Sequence, residues 1–193
     1  MSARLVILAS GSGSLAQAIF DAQRSGELEV EIVALICDQP KALVVERAKV
    51  SGIDTFLNPI SSNRAAWDAE IYTLTKSLNP DLVVSAGFMR ILSAEFVKDF
   101  KTINAHPALL PLFPGAHAVR DALQAGVEIT GATIHWVDAG VDTGEVIAQS
   151  AVEINSDDNE SSLHERIKMV ERELIVKCIR ELLPTLEKNV DAR

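Results

Sequence analysis

Asn104 and His106 stand two residues apart in TINAHPALLPLFPG, residues 102–115, and a proline follows the His directly. Residues two apart on a strand share a face, so an amide and an imidazole converge there. Such a pair offers N–H donors to a carbonyl oxygen that gains charge, and the imidazole can pass a proton near neutral pH. Asp142, between two glycines in the polar loop VDAGVDTGEV, supplies a carboxylate that would orient the ring and position a water. The same residues also read as ordinary turn formers, with Asn104 and His106 satisfying loop backbone and Asp142 making a turn.

A second candidate is the glycine loop ASGSGSLAQAI, residues 9–19. Glycines between a strand and a helix let a ligand approach the backbone, and the helix start presents free N–H groups and a positive dipole end. That points to an anion, and to a phosphate first; a tight strand–helix turn explains the glycines as well. GSGSLA also fits G-x-G-x-x-A, a loose dinucleotide fingerprint, with Asp38 as a ribose-binding acid. Equally, Asp38-Gln39-Pro40 can cap and start the next helix.

The other histidines read as structural: His135 lies in a strand beside Trp136, and His164 begins an amphipathic helix. His106, His117 and Asp142 have no compact metal-ligand spacing, so no metal is expected. No serine sits in a nucleophile elbow, so a covalent acyl intermediate is not expected. Cys37 and Cys178 are read as separate buried thiols.

The elements that would position these groups alternate along the chain. Apolar runs at 4–10, 31–38 and 82–88 read as strands covered on both faces, and 54–58 and 102–106 as shorter ones. Helical patterns fill 15–26, 41–52, 63–79 and 93–100. This βαβ alternation predicts an α/β fold with a Rossmann-like, open, mostly parallel sheet and helices on both faces. After a helix at 117–126, GATIHWVD (131–138) and EVIAQSAVEI (145–154) should form an antiparallel C-terminal hairpin at the sheet edge. A long C-terminal helix, about 162–187, should open on the capping box Ser162-x-x-Glu165 and bury Leu163, Ile167, Val170 and Leu174.

The 193 residues fit one domain, 1–193, with no repeat or linker. A net charge of −9 with no basic stripe argues against nucleic acid and membrane surfaces as partners. No signal peptide or membrane span is legible, so the cytoplasm is the expected compartment.

Four stretches, ASGSGS, AGFMRIL (86–92), INAHPALLPLFPG (103–115) and VDAGVDTG (137–144), occur in one order over nearly the entire chain. In that order they resemble the phosphoribosylglycinamide formyltransferase family. The resemblance implies transfer of a formyl group from 10-formyltetrahydrofolate, a co-substrate, to the amine of glycinamide ribonucleotide in purine synthesis, without a metal. It implies Asn104, His106 and Asp142 as the catalytic trio. The ribonucleotide phosphate would rest on Gly13, Ser14 and Leu15, with Lys168 and Glu171 as further substrate contacts. The folate would lie against Met89, Arg90, Ile91, Leu92 and Asn104 and the loop Asp138, Ala139, Gly140, Val141 and Asp142, with Arg64 reaching its tail.

The chain departs from the family pattern at Leu15, usually Asn, at Ala108, often Ser, and at Leu112, often basic. Relatives that act on tRNA or hydrolyse the folate carry extra domains for which 193 residues leave no room. A 10-formyltetrahydrofolate hydrolase, a non-catalytic nucleotide- or folate-binding module and a dinucleotide-dependent reductase are the alternatives. The sequence does not fix oligomeric state; a homodimer is compatible with it.

Overall fold

The long apolar strands expected from the sequence form the centre of a seven-stranded sheet in the computed structural model, which describes residues 2–187. The expectation of one domain over 1–193 therefore extends at both ends beyond the described residues. Strands are β1 (Ala3–Ala9), β2 (Val30–Cys37), β3 (Thr55–Leu57), β4 (Leu82–Ser85), β5 (Thr102–His106), β6 (Ile129–Trp136) and β7 (Val146–Glu153). Helices are α1 (Ser14–Ser25), α2 (Leu43–Val50), α3 (Arg64–Leu78), α4 (Ala94–Asp99), α5 (Ala118–Ala125) and α6 (Glu160–Glu187).

The strand order is β3-β2-β1-β4-β5-β6-β7. The first five are parallel, β6 runs against β5, and β7 pairs antiparallel with β6. The order reverses between β1 and β4, and a crevice opens at the carboxyl ends of strands at such a switch point. The loops that leave β1, β4 and β5 all end there.

Alternation along β1 divides the core. Leu5, Ile7 and Ala9 pack with α1, α2 and α6, whereas Val6 and Leu8 pack with Trp67 and Ile71 of α3 and Phe96 of α4. The sheet is therefore buried on both faces, as its continuous apolar strands require. Among the described residues no helix is long and apolar enough to cross a membrane.

Two expected caps are corrected. Helix α6 starts at Glu160, not at Ser162. Asn159 Oδ1 accepts from the amides of Ser161 and Ser162, and Ser162 Oγ accepts from the Asn159 amide at 3.0 Å. Asn159 and Ser162 thus form the reciprocal cap one turn earlier, while Glu165 pairs with Lys168 at 2.8 Å. Nor does Asp38 cap α2, whose N-cap is Ala42.

Candidate active site

Strand register builds the first part of the site. On β5, Asn104 lies opposite Ser85 of β4 and His135 of β6. Ser85 Oγ donates to Asn104 Oδ1 at 2.7 Å, and Asn104 Nδ2 lies 3.2 Å from His135 Nε2. His135 Nδ1 is 2.9 Å from the Trp136 carbonyl oxygen, which can only accept, so Nδ1 carries a hydrogen. In the neutral ring Nε2 then accepts from Asn104. The row fixes the amide with Oδ1 toward β4 and leaves one Nδ2 hydrogen for the cleft.

His106 is held two residues on by the proline-rich loop. Its Nε2 lies 2.8 Å from the Phe113 carbonyl oxygen and so donates to it. Phe113 has φ 54°, an uncommon backbone for a bulky residue, consistent with strain retained at a working site. Nδ1 consequently faces Asp142, with Oδ2 at 3.3 Å. The loop is pinned from below: Thr133 Oγ1 donates to the Ala108 carbonyl and accepts from the Leu110 amide, and Gln149 Nε2 donates to the Leu110 carbonyl. Stiffness therefore comes from β6 and β7 as well as from the prolines.

Asp142 arrives on the β6–β7 loop, also with positive φ, 54°. Asp138 Oδ1 accepts from the Gly140 amide and the Thr143 hydroxyl, closing the loop on itself. Asp142 Oδ2 accepts from the Gly115 amide at 2.8 Å, and Oδ1 lies 3.5 Å from His135 Nε2. Burial alone would raise the Asp142 carboxyl. The His135 Nε2 hydrogen bond, available when that ring is cationic, the Gly115 amide and the charges of His106 and His135 outweigh it, so the carboxyl stays below its usual value. It is a carboxylate at neutral pH.

These three residues line a cleft of about 430 Å³. Its walls are apolar at Phe88, Met89, Ile91, Leu92 and Val141, and its polar groups converge on Asn104, His106 and Asp142. That size and lining suit a flat, largely apolar ligand with one reacting end.

Residues 3–179 match the family model described as formyl transferase. Phosphoribosylglycinamide formyltransferase of Mycobacterium tuberculosis (strain H37Rv) is 47% identical over 93% of this chain and 85% of its own length. The solved structure of the enzyme of that name from Bacillus halodurans superposes with a TM-score of 0.88 at 42% identity, over 93% of this chain and 95% of the other. Glycinamide ribonucleotide transformylase 1 from Geobacillus kaustophilus gives 0.90 at 40% identity, over 95% and 100%. This chain belongs to the phosphoribosylglycinamide formyltransferase family.

Within this formyltransferase fold the other expected site residues fall into two groups. Met89, Arg90, Ile91, Leu92, Asp138, Gly140 and Val141 border the cleft with the trio. Ala139 lies between cleft residues without lining it. Gly13, Ser14 and Leu15 form the start of α1 at the switch-point crevice. Gly13 has φ 73°, and a Cβ there would stand 2.4 Å from Val44, so only glycine fits. Helix α1 has no side-chain cap and no acidic residue in its first turn, which leaves its amides for an anion.

Arg64 does not line the cleft. It pairs with Asp68 at 2.9 Å, lies over the Trp67 ring and donates to the Ile91 carbonyl, so it braces the cleft wall from behind. Lys168 is held by Glu165. Glu171 is 8% exposed, and burial pushes its carboxyl up to about 7 despite Lys168 and Arg172. The departures at Ala108 and Leu15 are both buried positions, whereas Leu112 is exposed.

Four participants were not expected from the sequence. His135 and Ser85 orient Asn104, and His117 and His164 line the cleft. The signal for His135 is its register opposite Asn104, a long-range pairing. His164 precedes Lys168 by four residues on α6, a spacing that places the two on one helix face.

Proposed function

We propose that this chain transfers the formyl group of 10-formyltetrahydrofolate to the amine of glycinamide ribonucleotide, a step of de novo purine synthesis, in the cytoplasm and within a single domain, residues 1–193. The amine nitrogen bonds to the formyl carbon, the bond from that carbon to N10 of the folate breaks, and a proton moves from the amine to N10. The observation that carries this reading is the convergence of Asn104, His106 and Asp142 at the polar end of an apolar cleft.

Each residue has a task its contacts favour. The remaining Nδ2 hydrogen of Asn104 meets the formyl oxygen as it gains charge, joined by an Nδ1 hydrogen of His106 when the ring is cationic. Their partners, Ser85, His135 and Phe113, hold the donors before the substrate arrives, so little reorganisation is needed at reaction. Asp142 keeps its negative charge beside His106, stabilises the ring when it is cationic and takes the amine proton through water. The amides of Gly13, Ser14 and Leu15 hold the ribonucleotide phosphate, and Lys168 and Glu171 contact the rest of it. Met89, Arg90, Ile91, Leu92 and the 138–142 loop hold the folate. Arg64 supports that wall and lies on the side toward which a folate tail would extend.

Because the phosphate contacts are backbone amides, a leucine at position 15 is compatible with them. The reading is tested by incubating purified protein with both substrates and following formylated ribonucleotide and released tetrahydrofolate in equal amounts. Folate hydrolysis without formylated product would overturn it.

A further inference from the structure

Asp38 directly follows β2 and has no task in the reaction described above. It is 2% exposed, and its carboxylate Oδ2 lies 2.7 Å from Arg90 Nε and 3.4 Å from Gln39 Nε2. Oδ1 has no hydrogen-bond partner among the described residues. A buried carboxylate with one counter-charge contributes little net stability, because desolvation offsets the attraction, but it strongly favours one arrangement of its partner.

That partner belongs to the segment after β4 that walls the cleft. Met89 and Ile91 on either side of Arg90 are 68% and 58% exposed. Phe88 and Leu92 anchor the two ends of the segment in the core, at 8% and 7% exposed, so its exposed middle is the part that depends on tethers. Ser10 holds it from β1, donating its amide to the Gly87 carbonyl at 3.1 Å and accepting from the Met89 amide at 2.9 Å. Arg64 holds the Ile91 carbonyl from α3. Arg90 turns its guanidinium away to Asp38 directly after β2, and this is the only charge pair among the three tethers.

We propose that Asp38 is a positioning residue for the folate-facing wall: through Arg90 it sets the backbone of residues 88–92 against the folate, on the function proposed above. Asp38 itself does not line the cleft. The Asp38–Arg90 pair ties the wall to β2, whose end lies beside the glycine loop.

The test is the Asp38→Asn enzyme, with KM measured separately for each substrate and the dissociation constant for reduced folate by titration calorimetry. We expect KM and Kd for folate to rise about tenfold, with kcat at saturating folate and KM for the ribonucleotide within twofold. Asp38→Asn added to Arg90→Gln should cost no more than Arg90→Gln alone, since Arg90→Gln already cuts the tether through which Asp38 acts, along with the contact Arg90 makes itself. The double variant buries no unpaired charge and serves if the single one folds poorly. Unchanged folate constants, or equal losses for both substrates, or additive losses in the double variant, would overturn the proposal. A wild type that binds folate without transferring formyl sinks the assigned function while Kd still decides the role of Asp38.

Discussion

His106 and Asp142 meet across two loops with Nδ1 and Oδ2 3.3 Å apart, and each is aimed by a backbone group of the same proline-rich segment. The Phe113 carbonyl takes His106 Nε2, and the Gly115 amide takes Asp142 Oδ2. A segment three residues long thus fixes which nitrogen faces the carboxylate. The pair is longer than a good charge-assisted hydrogen bond, which leaves room for both groups to turn to substrate.

His135→Ala should cost about fivefold in kcat, since one buried hydrogen bond to Asn104 is worth roughly 1 kcal/mol. KM for the ribonucleotide should stay close to wild type, because Asn104 would lose orientation and not a ground-state contact. Steady-state kinetics with each substrate varied in turn checks this. An unchanged kcat would return His135 to a structural role.

Gly144→Ala should displace Asp142 without touching its chemistry. A Cβ at 144 would stand 1.7 Å from the Trp136 carbonyl oxygen, at the base of the loop where the Trp136 amide donates to the Glu145 carbonyl. Backbone must shift, at a cost of about 2 kcal/mol. We expect a lower Tm by thermal unfolding together with a loss of kcat larger than that of His135→Ala. Full activity at reduced Tm would mean the loop tolerates the shift.

Glu171 predicts a pH dependence of stability. Its carboxyl is raised from 4.5 to about 7 by burial in the folded chain, with Lys168 and Arg172 opposing. Between these values the folded state holds a proton that the unfolded state has released, so stability falls as pH rises from about 4.5 toward 7 and levels off above. The penalty amounts to roughly 3 kcal/mol. Glu171→Gln should therefore gain several degrees in Tm over wild type at pH 8 and little at pH 5. Equal differences at both pH values would show that Glu171 ionises normally.

Strands were legible wherever burial on both faces leaves a continuous apolar run, as at Val6-Ile7-Leu8 and Leu82-Val83-Val84. The trio was legible for a local reason: a period of two places Asn104 beside His106, and glycines mark the Asp142 loop. Long-range groups were not. His135 matters because register sets it opposite Asn104, and no local pattern reveals register. Asp38 carried helix-capping signals, yet burial and Arg90 claimed it. The resemblance puts Arg64 toward the folate tail, and its contacts with Asp68, Trp67 and the Ile91 carbonyl hold it against the cleft wall. At α6, two residues able to cap lie three apart, and the first of them, Asn159, took the end.

The most direct test of the account is the rate of formyl transfer from 10-formyltetrahydrofolate to glycinamide ribonucleotide by wild type, His106→Ala and Asp142→Asn, each confirmed folded by circular dichroism. Removing a positioned donor to a developing oxyanion costs on the order of 10²–10³ in kcat. The account predicts a loss of at least that size for both variants with ribonucleotide binding retained. Either variant transferring formyl at the wild-type rate would contradict it.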